Sequence, residues 1–149
     1  MPDDHAARVA VLARHPSTRQ LVATALAEDI GRGDVTSVAA LPPGLGATAT
    51  ISTEEPCIVA GLFLAPLAYQ LVDPTLAVAV LLTDGATAGV ETPAVRITGS
   101  AAAILAGERV VLNLLQHLAG VATLTRRFVD AVAGTRAAIV DTRTTMPGL

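Results

Sequence analysis

Apolar residues recur at helical spacing in the first thirty residues of the chain. The spacing predicts a helix over residues 4–14 and a second helix beyond Pro16. We expect Ser17 to cap the second helix, with Gln20 as its capping-box partner. The apolar face of that helix consists of Leu21, Val22, Ala25 and Leu26.

A glycine-containing stretch, EDIGRGDVTS, follows at residues 28–37 and is predicted to be a loop. Its carboxylates are expected to surround Arg32; they are Glu28, Asp29 and Asp34. The stretch lacks the lysine of a P-loop and does not stand between a predicted strand and a helix. It is therefore a weak indication of phosphate binding.

The middle of the chain changes to strand spacing. Apolar and polar residues alternate over 47–52, which predicts a strand with one face in water. Short apolar runs predict further strands at 57–60, 76–82 and 94–98, with a helix over 62–72. Together these elements indicate a small α+β unit.

Helical spacing returns from Ser100. We expect a helix with Gly107 as a candidate break and Gly120 as its end, and then a further helix that ends with Gly134 at C′. The inward face of the later helix is predicted to be Val121, Leu124, Phe128 and Val132. The run AAIV at 137–140 is predicted to be a strand that opens a new unit, so a domain boundary is placed near 100–108.

Composition narrows the class of protein. The chain has 149 residues, of which 52% are hydrophobic, 2% aromatic and 15% charged. The core must therefore consist of small aliphatic side chains, and the sparse charge indicates a surface partly covered in a dimer or larger assembly. A net charge of −3 without a basic cluster argues against nucleic acid as a partner.

The sequence also argues against a membrane protein, a secreted protein and a protein-built metal site. The apolar stretches are interrupted by proline or polar residues, so no membrane span is expected. The N-terminal MPDDHAARVA lacks the apolar region of a signal peptide, and the single Cys57 cannot form an internal disulfide, so we expect a cytoplasmic protein. The histidines are scattered, so no metal site built from protein side chains is expected.

Two arginines are candidates for chemistry. Arg109 either pairs with Glu108 or presents its guanidinium to an anion on another surface; neighbours on a helix point about 100° apart, which disfavours the first interpretation. Arg143 follows the predicted strand directly, where it is either a solvated loop residue or part of a site at a strand end. Thr142 and Thr144 flank it with hydroxyls that suit phosphate or carboxylate oxygens.

Several stretches together resemble the quinolinate phosphoribosyltransferase family, also known as carboxylating nicotinate-nucleotide pyrophosphorylases. They are ALAEDIGRGDVTS (25–37), CIVAGL (57–62), DGA (84–86), GERVVLNLLQHLAGVATLTRRFVDAVAGT (107–135) and IVDTRTTMPGL (139–149). The resemblance implies an α+β fold: an N-terminal α+β sandwich domain over 1–106, then linking helices and the first strand of an incomplete α/β barrel over 107–149. Because a barrel of this kind needs about 200 residues or more, we expect the chain alone to be inactive.

The resemblance also implies an activity. The family transfers phosphoribose from phosphoribosyl pyrophosphate to quinolinate, with release of carbon dioxide and pyrophosphate, to give nicotinate mononucleotide for NAD synthesis. Mg²⁺ accompanies the pyrophosphate. Arg109 corresponds to a substrate-binding arginine that reaches the other subunit of a dimer, and Thr142, Arg143 and Thr144 correspond to the family's Thr-Arg-Lys run. Thr144 departs from that run because it replaces the lysine. The alternatives are a non-catalytic dimerising remnant and an enzyme of the related branch linked to molybdenum transport.

Overall fold

The computed structural model of the chain describes residues 3–142. Its helices are α1 (Asp3–Arg14), α2 (Pro16–Ile30), α3 (Val35–Ala40), α4 (Leu64–Val72) and α5 (Ala101–Ala131). Its strands are β1 (Gly46–Ser52), β2 (Cys57–Ile58), β3 (Ala77–Val80), β4 (Thr87–Ala88) and β5 (Pro93–Ser100). The predicted strand at 57–60 is thus shorter than expected, and β4 was not predicted.

The strands form two antiparallel sheets. The larger sheet has the order β1-β5-β3, and the smaller one pairs β2 with β4. On the inner face of the larger sheet, Ile51 stands opposite Val95. On the outer face, Thr50 stands opposite Arg96, and both side chains are exposed. The predicted strand with one wet face is therefore confirmed in β1.

The core lies between the inner face of the larger sheet and a layer of helices. Helices α2, α4 and α5 contact one another, and α4 and α5 also contact the sheet. The largest fully buried side chains are Tyr69, Ile97, Val22, Val95 and Val111. The predicted α+β class is confirmed, and Val22 and Leu26 of the expected apolar face of α2 are buried in this core.

The start of α2 differs from the prediction. His15 is the N-cap: its Nδ1 accepts a hydrogen bond from the backbone N–H of Ser17 at 3.3 Å, and Pro16 is the first helical residue. Ser17 therefore lies inside the helix. Gln20 does not reach back to a cap but donates from Nε2 to Thr24 Oγ1 at 3.2 Å.

The predicted loop at 28–37 contains the start of a helix. The carboxylate of Asp34 accepts a hydrogen bond from the backbone N–H of Ser37 at 3.0 Å and so caps α3. Only the segment between α2 and α3 is irregular, with Gly31 and Gly33 at positive φ. Asp34 stands directly before the helix, and aspartate is one of the residue types favoured at an N-cap, so this was the available signal.

Helix α5 is continuous, and the predicted interruptions at Gly107 and Gly120 are wrong. A single glycine costs a helix about 1 kcal/mol relative to alanine, which is too little to end one that packs along much of its length. The C-cap is Val132, so C′ is Ala133, and Gly134, at φ 81°, lies one position beyond the C′ site where it was predicted.

The far end of α5 is more exposed than predicted. Val121, Leu124 and Phe128 were expected to face inward, yet their exposed fractions are 54%, 54% and 55%. Among the described residues, the hydrophobic core includes no side chain of α5 beyond Leu118, and every residue of the helix from 124 onward is exposed.

Residues 137–140 were expected to form a strand, and this is wrong within the described residues. They are irregular and exposed, and no strand between residues 3 and 142 pairs with them. Strand geometry requires such a neighbour for its backbone groups. The division into 1–106 and 107–149 stays a prediction; α5 runs across it without a break.

Candidate anion-binding site

Arg109 is held by an acidic residue of another helix. Its Nη1 donates to Asp29 Oδ1 at 3.0 Å, across a sequence separation of 80 residues. The partner is therefore neither Glu108, the local alternative considered for Arg109, nor a residue of α5 at all. Asp29 thus takes the place that the local interpretation gave to Glu108, and the binding of a substrate anion by Arg109 stays a prediction.

The pair lies where α2 and α5 pack together. These helices line a shallow pocket of about 400 Å³. Its lining consists of Ala25, Glu28, Asp29, Arg109, Val110, Asn113 and Leu114. Arg109 and Asn113 are four residues apart, as are Ala25 and Asp29, so each helix contributes one face, as its periodicity requires.

The electrostatics of this pocket explain why the pair forms. Asp29 is the penultimate residue of α2, where the helix dipole already places partial negative charge. A guanidinium opposite offsets both charges. The pKa of Asp34 is held below its usual value, first by hydrogen bonds from the side chain and backbone of Ser37, and to a smaller degree by the positive charge of Arg109.

The two members of the pair differ in exposure, and this decides what the pocket can do. The side chain of Asp29 is 22% exposed, whereas that of Arg109 is 76% exposed. A guanidinium has five N–H donors in a planar fork. Arg109 is thus held from one side and open to solvent on the other. Glu28 and Asp29 make the pocket itself acidic, so a carboxylate or phosphate could meet only the solvent-facing N–H donors of Arg109.

The other predicted site residues are Thr142, Arg143 and Thr144. Thr142 is exposed, follows the far end of α5 and does not line the Arg109 pocket. Ala131, at that end, is about 33 Å along the helix from Arg109. Arg143 and Thr144 lie outside the described residues.

Sequence reasoning missed two members of the pocket. Asp29 was expected beside Arg32, and no local pattern connects it with a residue 80 positions away. Asn113 could have been found, because it stands one helical turn after Arg109.

A larger groove of about 760 Å³ lies on another side of α5, against β1 and β2. None of the predicted site residues lines it. Cys57 does, but burial and then the charge of Glu55 raise the pKa of its thiol, which disfavours the reactive thiolate. The groove has both apolar and polar lining residues, the charged ones being Glu54, Glu55 and Arg127.

Between residues 3 and 142 there is no group of three or more histidine, cysteine or acidic side chains placed to hold a metal ion. In the same range, every helix is too short or too polar to cross a membrane.

A model of a known protein family matches more than half of this chain. Residues 34–119 match the family model described as quinolinate phosphoribosyl transferase, N-terminal domain. This stretch includes Arg109 and the strands β1 to β5 of both sheets.

Individual relatives agree. A probable carboxylating nicotinate-nucleotide pyrophosphorylase from Synechocystis is 41% identical over 83% of this chain and 42% of its own. The carboxylating nicotinate-nucleotide pyrophosphorylase of Mycobacterium leprae is 38% identical over 89% of this chain and 48% of its own. The chain thus spans less than half the length of these curated relatives.

A solved structure supports the fold. The nicotinate-nucleotide pyrophosphorylase from Francisella tularensis superposes with a TM-score of 0.83 at 30% identity. The match covers 92% of this chain and 49% of the other.

Proposed function

Because the chain belongs to the quinolinate phosphoribosyltransferase family, we propose that it contributes the N-terminal part of a carboxylating nicotinate-nucleotide pyrophosphorylase. In this reaction the ring nitrogen of quinolinate forms a bond to C1 of the ribose, and the bond from C1 to pyrophosphate breaks. One carboxyl group leaves as carbon dioxide, its electron pair stays on the ring, and a proton replaces it. The product is nicotinate mononucleotide, a precursor of NAD.

The exposed, anchored guanidinium of Arg109 is the observation that carries this proposal. Quinolinate is a flat dianion with two adjacent carboxylates, and arginine binds such oxygens in bidentate fashion while remaining charged. Arg109 is three-quarters exposed and lies inside the segment that matches the family. It would therefore bind and orient the substrate rather than take part in proton transfer.

The exposure of Arg109 also supports a homodimer in which it serves the neighbouring subunit. The pocket on its own chain is shallow and does not include Thr142. We propose that Thr142, Arg143 and Thr144 contact quinolinate in one subunit while Arg109 reaches across from the other. The proposed compartment is the cytoplasm, where the free thiol of Cys57 would stay reduced.

Magnesium enters the proposal only with the substrate. The described residues offer no set of side chains that fits a metal ion. Mg²⁺ would arrive bound to the pyrophosphate oxygens of phosphoribosyl pyrophosphate, and we assign it no ligand among these residues.

The test joins the chain, after residue 149, to the part of the Mycobacterium leprae relative that it does not span. The fused protein is assayed for nicotinate mononucleotide formation from quinolinate and phosphoribosyl pyrophosphate. Arg109→Ala should raise the KM for quinolinate about 10- to 100-fold, the loss expected for a charge-assisted hydrogen bond. Arg126→Ala, an exposed arginine further along the same helix, is the matched control and should leave that KM unchanged.

Two results would contradict the proposal: a folded fusion protein that forms no product, or an Arg109→Ala variant with an unchanged KM for quinolinate. A fusion protein that folds and dimerises but stays inactive would favour the non-catalytic alternative. Binding of quinolinate to the 149-residue chain, followed by NMR, provides a measurement that does not depend on the fusion.

A further inference from the structure

Asp29 and Arg109 form an ion pair in which the two side chains differ in exposure. Within the described residues this is the one ion pair of the Arg109 guanidinium, and it uses a single atom pair, Nη1 with Oδ1. Asp29 is the less exposed partner, at 22% against 76%. The aspartate is therefore the fixed member and the arginine is the one it holds.

The single contact leaves most of the guanidinium open. Only one of its five N–H donors is used by Asp29. A bidentate contact with Asp29 would have occupied one whole edge of the fork, whereas the observed contact leaves an edge for a ligand carboxylate. An arginine as exposed as this one would otherwise sample many rotamers, and binding a ligand would then have to order it.

We propose that Asp29 is a positioning residue for Arg109: it holds the guanidinium in the orientation that receives a carboxylate of the substrate. This inference rests on the proposed function, since it concerns the same site. The opposite possibility is that Asp29 competes with the substrate for Arg109. Then its removal would strengthen binding instead of weakening it, so the sign of the effect distinguishes the two.

The experiment uses the 149-residue chain with isotope-labelled arginine side chains. The Nε–Hε signal of Arg109 is assigned by its loss in Arg109→Ala, and quinolinate is titrated in while that signal is followed by NMR. In the unsubstituted chain we expect an ordered Nε–Hε group that shifts on titration. In Asp29→Ala we expect a mobile group and a dissociation constant for quinolinate raised about two- to tenfold, the cost of ordering one long side chain.

Asp29→Asn tests geometry against charge, because it keeps an oxygen that accepts from Nη1. We expect it to restore part of the order and part of the affinity. Asp130→Ala removes an exposed carboxylate near the other end of α5 and is the matched control, with an unchanged dissociation constant. A purely structural role for Asp29 would lower the melting temperature without changing the mobility of Arg109 in the folded chain.

The outcomes separate this inference from the proposed function. If quinolinate leaves the Arg109 signal of the unsubstituted chain unshifted, the substrate role of Arg109 fails, and the positioning role with it. If the unsubstituted chain binds and Asp29→Ala binds equally well or more tightly, only the positioning role is overturned. If Asp29→Ala does not fold, the same comparison with Asp29→Asn decides.

Discussion

Gly107 of α5 lies against the buried ring of Tyr69 of α4, so close that a Cβ on Gly107 would stand 2.7 Å from Tyr69 Cε1. The approach joins the two helices at the centre of the core, where Tyr69 is 1% exposed. Glycine at this position is therefore required by packing and not by a break in the helix.

The first prediction follows from that contact. Gly107→Ala should lower the free energy of unfolding by about 1–3 kcal/mol, because the added methyl group overpacks a ring that is enclosed. The matched control is Gly120→Ala in the same helix, where nothing lies within 4 Å of the added Cβ. There the better helix propensity of alanine should raise stability by up to about 1 kcal/mol.

Urea unfolding followed by helical circular dichroism measures both variants. Equal effects of the two substitutions would contradict the packing explanation, since propensity alone would then account for them.

The same contact shows which parts of the fold the sequence could predict. Strand β1 could be predicted because the alternation of apolar and polar residues is a property of the local sequence, and the folded sheet keeps it. The predicted break of α5 at Gly107 was wrong because the glycine was interpreted as a local helix breaker. Its small size is required instead by contact with the ring of Tyr69, nearly forty residues earlier in the chain. Strand β2 lies within the apolar run predicted at 57–60, whereas the two-residue strand β4 is too short for any periodicity to show.

The second prediction concerns alkaline pH. Burial, and then the negative charge of Glu108, raise the pKa of Tyr69 to about 12. The unfolded chain releases this proton near pH 10, whereas the folded chain retains it. Stability is thus full below about pH 10 and falls by about 1.4 kcal/mol per pH unit between about 10 and 12.

Tyr69→Phe keeps the ring and removes the ionisable group, so its stability should lack this part of the slope. The comparison between the two proteins is needed because Cys57, whose pKa is also raised, contributes its own decline. Tyr69 is the only tyrosine and the chain has no tryptophan, so tyrosinate absorbance reports its titration directly. Parallel stability curves for the two proteins would show that Tyr69 ionises as easily in the folded state.

The third prediction tests how α5 is attached to the smaller sheet. Thr123 Oγ1 accepts a hydrogen bond from the backbone N–H of Ile58 at 2.9 Å, and both residues are partly buried. Thr123→Val keeps the shape and removes the acceptor, so the free energy of unfolding should fall by about 1–3 kcal/mol.

Thr125→Val provides the matched control, because the Thr125 hydroxyl is exposed and donates only within its own helix, to the carbonyl of Val121 at 2.8 Å. A change below about 0.5 kcal/mol is expected there. If the two variants lose equal stability, the β-branched side chain and not the hydrogen bond to Ile58 is responsible.

The candidate site was predictable to different degrees for physical reasons. Arg109 could be singled out because a charged residue in an apolar helix has few explanations. Its anchor Asp29 could not, because the pairing depends on how α2 and α5 pack and on nothing near either residue in sequence. Arg143 and Thr144 remain predictions from the resemblance, since they lie outside the described residues.

The last prediction concerns Thr144, where the family run has lysine. The chain contains no lysine, and Thr144→Lys adds one ammonium group at this position. If this position contacts a quinolinate carboxylate, a charge-assisted hydrogen bond should lower the KM for quinolinate about 10- to 100-fold in the fusion protein. The KM for phosphoribosyl pyrophosphate should change much less. Thr145→Lys adds the same charge one residue later and is the matched control. If both variants lower the KM equally, the gain is general attraction of the dianion, and Thr144 has no specific place in the substrate contact.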